Sequence, residues 1–226
     1  WPDATLDEDA VRWDEVRITG ETCRGLPYPS VGDARCQGDA LEGFCEAAEL
    51  ALYETSDASC LQVAESRANN LFYRAALPPT PPLVVTMDGS FAVVTQREGP
   101  ALTGRLLRVQ RDPAGAHTRV RIVDMPAPGE PARVAPATQG GDLMAMLASD
   151  LDTMGLTGAE RDAFLGAWRV ELAGGDNHEP IQGEATRTIA PAPDALFYWL
   201  SAERAETILP LTLDPATRER PRAGMK

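Results

Sequence analysis

LVVTMDGSFAVVTQ, residues 83–96, is two runs of β-branched and apolar residues on either side of Asp88-Gly89. Side chains of a strand alternate between faces and an Asp-Gly pair accepts the backbone of a tight turn, so the stretch predicts an antiparallel hairpin. The same texture continues downstream in RLLRVQR (105–111) and TRVRIVDM (118–125), with a second turn over Asp112 to Gly115. Residues 83–125 therefore read as a small β-meander. Within residues 95–123, Arg97, Arg105, Arg108, Arg111, Arg119 and Arg121 outnumber Glu98 and Asp112, which predicts a positive face.

Beyond the meander, residues 126–141 are rich in Pro, Gly and Ala and read as a connection. Two helices follow over 142–173. The first carries Leu143, Met146, Leu147, Leu151 and Met154 at helical spacing and ends at Gly155. The second opens with a capping box from Thr157 to Glu160 and presents Phe164, Leu165, Trp168 and Leu172 before Gly174. After a polar loop at 174–193 comes a strand–helix–strand unit over 195–213: LFYWL (196–200), a short helix capped by Ser201 and stopped by Pro210, and LTL (211–213). A basic tail, 214–226, ends the chain.

Upstream, PPTPP (78–82) excludes a helix, because proline lacks the amide donor and clashes with the preceding turn; it marks a boundary between residues 1–78 and 79–226. Before it, Asp39 and Glu42 form a capping box, and Leu41, Phe44, Cys45, Ala48 and Leu52 make one helical stripe to about Glu54. Asp57 or Ser59 caps a second predicted helix bearing Leu61, Ala64, Ala68, Leu71, Phe72 and Ala75. The pair reads as an αα-hairpin. Residues 1–38 read as ordered loop, with Val11, Trp13, Val16 and Ile18 as a strand or a helical turn. The fold class expected is α+β: a disulfide-stapled helical hairpin followed by an antiparallel sheet packed with two or three helices.

Cys23, Cys36, Cys45 and Cys60 all lie in the first 60 of 226 residues and form no CxxC pair, which favours disulfides over a structural metal. In the predicted hairpin Cys45 and Cys60 are offset by about seven residues, about 10 Å of helix, too far to bond. Two connectivities remain, each joining Cys23 and Cys36 to the other pair. The oxidising compartment this implies, together with a chain that starts at Trp1 without methionine or charged-then-apolar leader, leads to the expectation of an exported chain whose signal peptide has been removed.

The formal charge of −13 is uneven: residues 1–78 carry 15 acids against 6 arginines, residues 79–226 carry 19 acids against 15 bases. Such a chain repels phosphate backbones, so no nucleic-acid partner is expected. No run of 18 apolar residues is present, so no membrane-spanning helix is predicted. Within the first 15 residues six acids, including Asp7, Glu8 and Asp9, face only Arg12, whereas residues 216–226 carry Arg218, Arg220, Arg222 and Lys226 against Glu219. An acidic head and a basic tail make a candidate interface that joins subunits head to tail.

Motifs of catalysis are absent from the sequence: no nucleophile elbow, phosphate loop, zinc signature or dinucleotide fingerprint. Only His117, in a turn, and His178 offer an imidazole. His178, with Asp176 and Glu179 in GGDNHEP, is a weak candidate metal site because hard cations need more oxygens at regular spacing. Ser90 in DGSF lacks the pattern of a nucleophile. Asp150 with Asp152, and Glu203 with Glu206, read as solvated helix faces, and Met144, Met146 and Met154 as packing.

The C-terminal stretches GLTGAERDAFLGAWRVEL and LFYWLSAERAETILPLTLDPATRER resemble a loosely defined group of uncharacterised exported proteins of high-GC bacteria. The resemblance covers roughly the last 90 residues and rests on Phe164, Trp168 and Leu172, then LFYWL, then Ile208, Leu209, Pro210 and Leu211. It implies export and fold, and carries no activity. Where that group continues into another apolar strand, this chain has PRAGMK.

The function expected is that of a non-catalytic secreted or cell-surface structural or interaction protein, a subunit of an extracellular assembly, with no cofactor and with a protein as partner. The alternatives are a secreted hydrolase or metal-dependent enzyme centred on His178, and a periplasmic ligand-binding or inhibitor module.

Overall fold

A computed structural model describes residues 2, 4–7, 10–23, 26, 53–72, 80–112, 117–176, 188–189, 191–208, 210 and 212. The first strands are β1 (Thr5–Asp7), β2 (Ala10–Arg12), β3 (Arg17–Thr22), β4 (Ser59–Val63) and β5 (Ser66–Ala68). Then come β6 (Leu83–Asp88), β7 (Phe91–Gln96), β8 (Arg105–Arg111), β9 (Thr118–Asp124), β10 (Ala132–Val134) and β11 (Gln139–Gly140). Helices α1 (Leu143–Thr153), α2 (Gly158–Ala167) and α3 (Arg169–Ala173) precede β12 (Gly175–Asp176), β13 (Thr188–Ile189), β14 (Asp194–Tyr198) and α4 (Ala202–Ile208). The chain is thus mixed helix and antiparallel sheet, and no described helix is long and apolar enough to cross a membrane.

Two compact units are formed, one from residues 1–74 and 156–191, the other from 75–155 and 192–226. Residues 156–191 cluster with the N-terminal unit and not with the rest of the expected 79–226 domain. In that first unit β1 and β2 form a hairpin, and a sheet of order β3-β4-β5 carries the disulfide. The second helix expected from residue 57 or 59 to 75 gives way to strands over 59–68. Its stripe depended on Ala64, which is exposed and adopts the left-handed conformation (φ 48°) in the turn between β4 and β5, while Cys60, Val63 and Ala68 are the residues buried. Asn69 secures the entry to this sheet, its amide accepting from Thr55 N at 3.1 Å and donating to Thr55 O at 3.0 Å. The first expected helix, apart from Tyr53 and Glu54, lies outside the described residues, as do Cys36 and Cys45.

Cys23 follows Thr22, whose partner Ser59 precedes Cys60, and the Cα atoms of the two cysteines lie 4.6 Å apart. The bond agrees with one of the two connectivities left open, although Cys60 lies in a strand where a helix was expected. It cross-links residues 37 apart.

In the second unit the four predicted strands appear at nearly the predicted bounds but belong to two sheets, of order β10-β7-β6 and β11-β9-β8-β14. The single meander is therefore corrected. β7 does not pair with β8; residues 97–104 carry the chain from one sheet to the other. Gln96 holds that crossing, its buried side chain accepting from Leu102 N (2.8 Å) and donating to Leu102 O (3.0 Å) and Pro126 O. Leu102 thereby enters the core with Leu83, Ala92, Val94, Leu106, Val134 and Tyr198, drawn from both sheets. The connection expected at 126–141 supplies β10 and β11, short strands that its Pro and Gly content concealed.

Helix α1 caps the other face of the β8 sheet. Asp142 accepts from Ala145 N at its start, and Leu143, Leu147 and Leu151 are buried as the spacing predicts, whereas Met154 is exposed. The capping box of α2 forms as expected, with Thr157 Oγ1 accepting from Glu160 N and Glu160 from Thr157 N. The helix breaks at Trp168, which is partly exposed, so the predicted second helix is α2 and α3 in succession. Ser201 caps α4, accepting from Arg204 N at 3.2 Å.

Candidate functional site

The strand RLLRVQR carries arginine at 105, 108 and 111, yet these do not make a positive face. Arg108 is 1% exposed and lies between the two sheets. Its guanidinium donates from Nε (3.0 Å) and Nη2 (2.6 Å) to the two oxygens of Asp194, and from Nη1 to Ser90 O and Val134 O, both at 2.9 Å. Asp194 belongs to β14 and the two carbonyls to the opposite sheet, so one side chain ties both layers. The Arg108 hydrogen bond is the main reason the Asp194 carboxyl is held below the ordinary carboxylate value, against a smaller opposing effect of burial and with help from Gln110.

Arg105 points to the other face. It donates to Met146 O at 3.1 Å and pairs with Asp150, whose Oδ2 also accepts from Trp199 Nε1 at 2.9 Å. Asp150 is therefore a structural group on α1 and not part of a solvated face. Arg111 is buried and donates to Ala192 O at 2.7 Å, and Arg121 donates to Pro136 O at 2.7 Å. With Arg97, whose Nε donates to Pro81 O at 3.1 Å, five of the six arginines of the predicted positive face are thus engaged in holding backbone and carboxylates.

A depression of about 180 Å³ lies over Arg105, Leu107, Leu147, Asp150, Phe197, Tyr198 and Trp199. The polar groups on its wall already bind one another. His117 is exposed beside its turn, and Ser90 contributes its carbonyl to Arg108. Asp176 ends β12 and Asp7 ends β1, while His178, Glu179, Glu8, Asp9, Arg218, Arg220 and Arg222 lie outside the described residues.

The feature left without an internal role is β6. It pairs only with β7, and no described strand pairs with its other edge. Val85 and Met87 share a face with buried Val94 and Ala92, yet are 45% and 58% exposed, and Val84 on the opposite face is exposed as well. Residues 83–87 contain no charge and no proline. Edge strands are ordinarily guarded by charge, proline or a bulge. The other long exposed strand, β3, has such guards in Arg17, Glu21 and a register shift between Ile18 and Thr22. Residues 83–87 have none, Asp88 and Pro82 standing only at the two ends, and a reading of alternation alone could not reveal this because it does not separate edge strands from central ones.

No family model, curated protein or solved structure matches this chain.

Proposed function

We propose that this chain is a non-catalytic exported interaction protein, a subunit of an extracellular assembly, that engages another polypeptide along β6. The observation that carries the reading is the edge of β6 that no described strand pairs with, uncharged over residues 83–87, with Val84, Val85 and Met87 exposed beside it. Strand addition to such an edge recruits main-chain hydrogen bonds for affinity and alternate side chains for selectivity. The disulfide between Cys23 and Cys60 supports an oxidising location. The test is mass photometry with electron microscopy on material from the native source under non-reducing conditions. The reading expects particles larger than the 24.3 kDa chain, and a homogeneous monomer overturns it.

A further inference from the structure

We infer that the occupant of the β6 edge is the β6 strand of a second copy, paired antiparallel about Val85. The inference rests on the interaction reading above and assigns its partner and register.

The hydrogen-bonding parity of β6 follows from its turn. Gly89 at φ 58° opens a two-residue hairpin loop closed by Asp88 and Phe91, the arrangement of a type II′ turn, in which the closing pair exchanges hydrogen bonds. Backbone groups of Asp88, Thr86 and Val84 accordingly face β7. At the other end Arg97 N donates to Pro82 O at 2.8 Å, which places residue 82 in the same series. The amides and carbonyls of Leu83, Val85 and Met87 therefore face the edge that no described strand occupies.

A two-fold axis normal to the sheet joins antiparallel edge strands with like faces together. Only registers that set odd residues opposite odd residues satisfy those free groups, and the one centred on Val85 uses all three positions: Val85 opposite Val85, and Leu83 opposite Met87 in both directions. Each such pair exchanges two hydrogen bonds. The uncovered Val85 side chains then adjoin one another and each Met87 adjoins Leu83 on one face, and Val84 meets Thr86 on the other.

Charge agrees with this register. Asp88 falls opposite Pro82 of the second copy, and Pro82 is bonded across its own sheet to Arg97, whose Nε is fixed on Pro81 O at 3.1 Å. Asp88 is ion-paired with Arg133 of its own sheet at 2.7 Å and meets uncharged Pro82, so no like charges oppose across the joint. The strand ordering becomes β10-β7-β6 continued by β6-β7-β10 of the second copy, an isologous contact that closes on itself.

The experiment uses the purified full chain in sedimentation across a concentration series, alongside three variants. The expected results are a reversible dimer, a dimer dissociation constant raised roughly 30-fold by Val85→Lys, which sets two ammonium groups on the axis, and an unchanged melting temperature at low concentration. Val85→Cys is expected to give a disulfide-linked dimer on oxidation, since Cα atoms in that pair lie about 5.5 Å apart, and Thr86→Cys is not. A dimer indifferent to Val85→Lys and not captured by Val85→Cys overturns the inference. So does a purified chain that stays monomeric while native material is found in larger particles; that outcome leaves the interaction reading standing and assigns the edge to a different protein. Val85→Cys gives an independent answer should Val85→Lys fail to fold.

Discussion

Arg108 is the side chain whose loss the second unit tolerates least. Four hydrogen bonds converge on a guanidinium that is 1% exposed, two of them to main-chain carbonyls that have no other described donor side chain. Arg108→Ala removes the donors and orphans Ser90 O and Val134 O, so a loss of about 3 kcal/mol is expected in urea denaturation, with Arg108→Lys between it and the wild type. Asp194 supplies a pH dependence of definite sign. Its folded value is lowered, chiefly by Arg108, so the stabilisation is complete above the unfolded aspartate value of about 3.9 and is lost as pH falls through the folded value. Denaturation midpoints measured from pH 7 to pH 2 should fall below about pH 4, and Asp194→Asn should flatten that fall while lowering stability at neutral pH. Gly99 gives a third residue-scale test. It sits at φ 122°, and a Cβ there would run into the guanidinium of Arg204, which donates to the carbonyls of Arg97 and Glu98; Gly99→Ala is expected to cost about 2 kcal/mol in the same assay.

Elements were legible where a single physical cause acted. The strands at 83–96, 105–111 and 118–124 could be read because alternation and turn residues agreed, and the capping box at Thr157 because its geometry depends on neighbours three residues apart. Thr157→Ala should lower stability by about 1 kcal/mol, an effect absent from a variant at exposed Asp162. Residues 59–68 misled because alanines at helical spacing fit a strand equally well once Ala64 turns the chain. The division of 83–125 into two sheets could not be read at all, since it depends on Gln96 finding Leu102 and Pro126. Arg108 offered a faint signal, an arginine flanked by Leu106, Leu107 and Val109, but its partner Asp194 lies 86 residues away.

At the scale of the whole molecule, cross-linking is confined to the first unit. The Cys23–Cys60 bond closes a loop of 37 residues, which in the chain-entropy account is worth about 4 kcal/mol. Reduction should therefore speed hydrogen exchange in β3, β4 and β5 while leaving β6 to β9 at their oxidised rates, a contrast readable by mass spectrometry. The order in which the chain visits its two units has a further effect. β8 is not complete as a central strand until β14 arrives, and residues 156–191 must be made in between. A polypeptide emerging from a ribosome or a translocation pore thus exposes Leu106, Leu107 and Val109 unpaired on one side until nearly nine-tenths of it has been delivered. Closure of that sheet is an obligately late event, and a holding chaperone has a long interval in which to act.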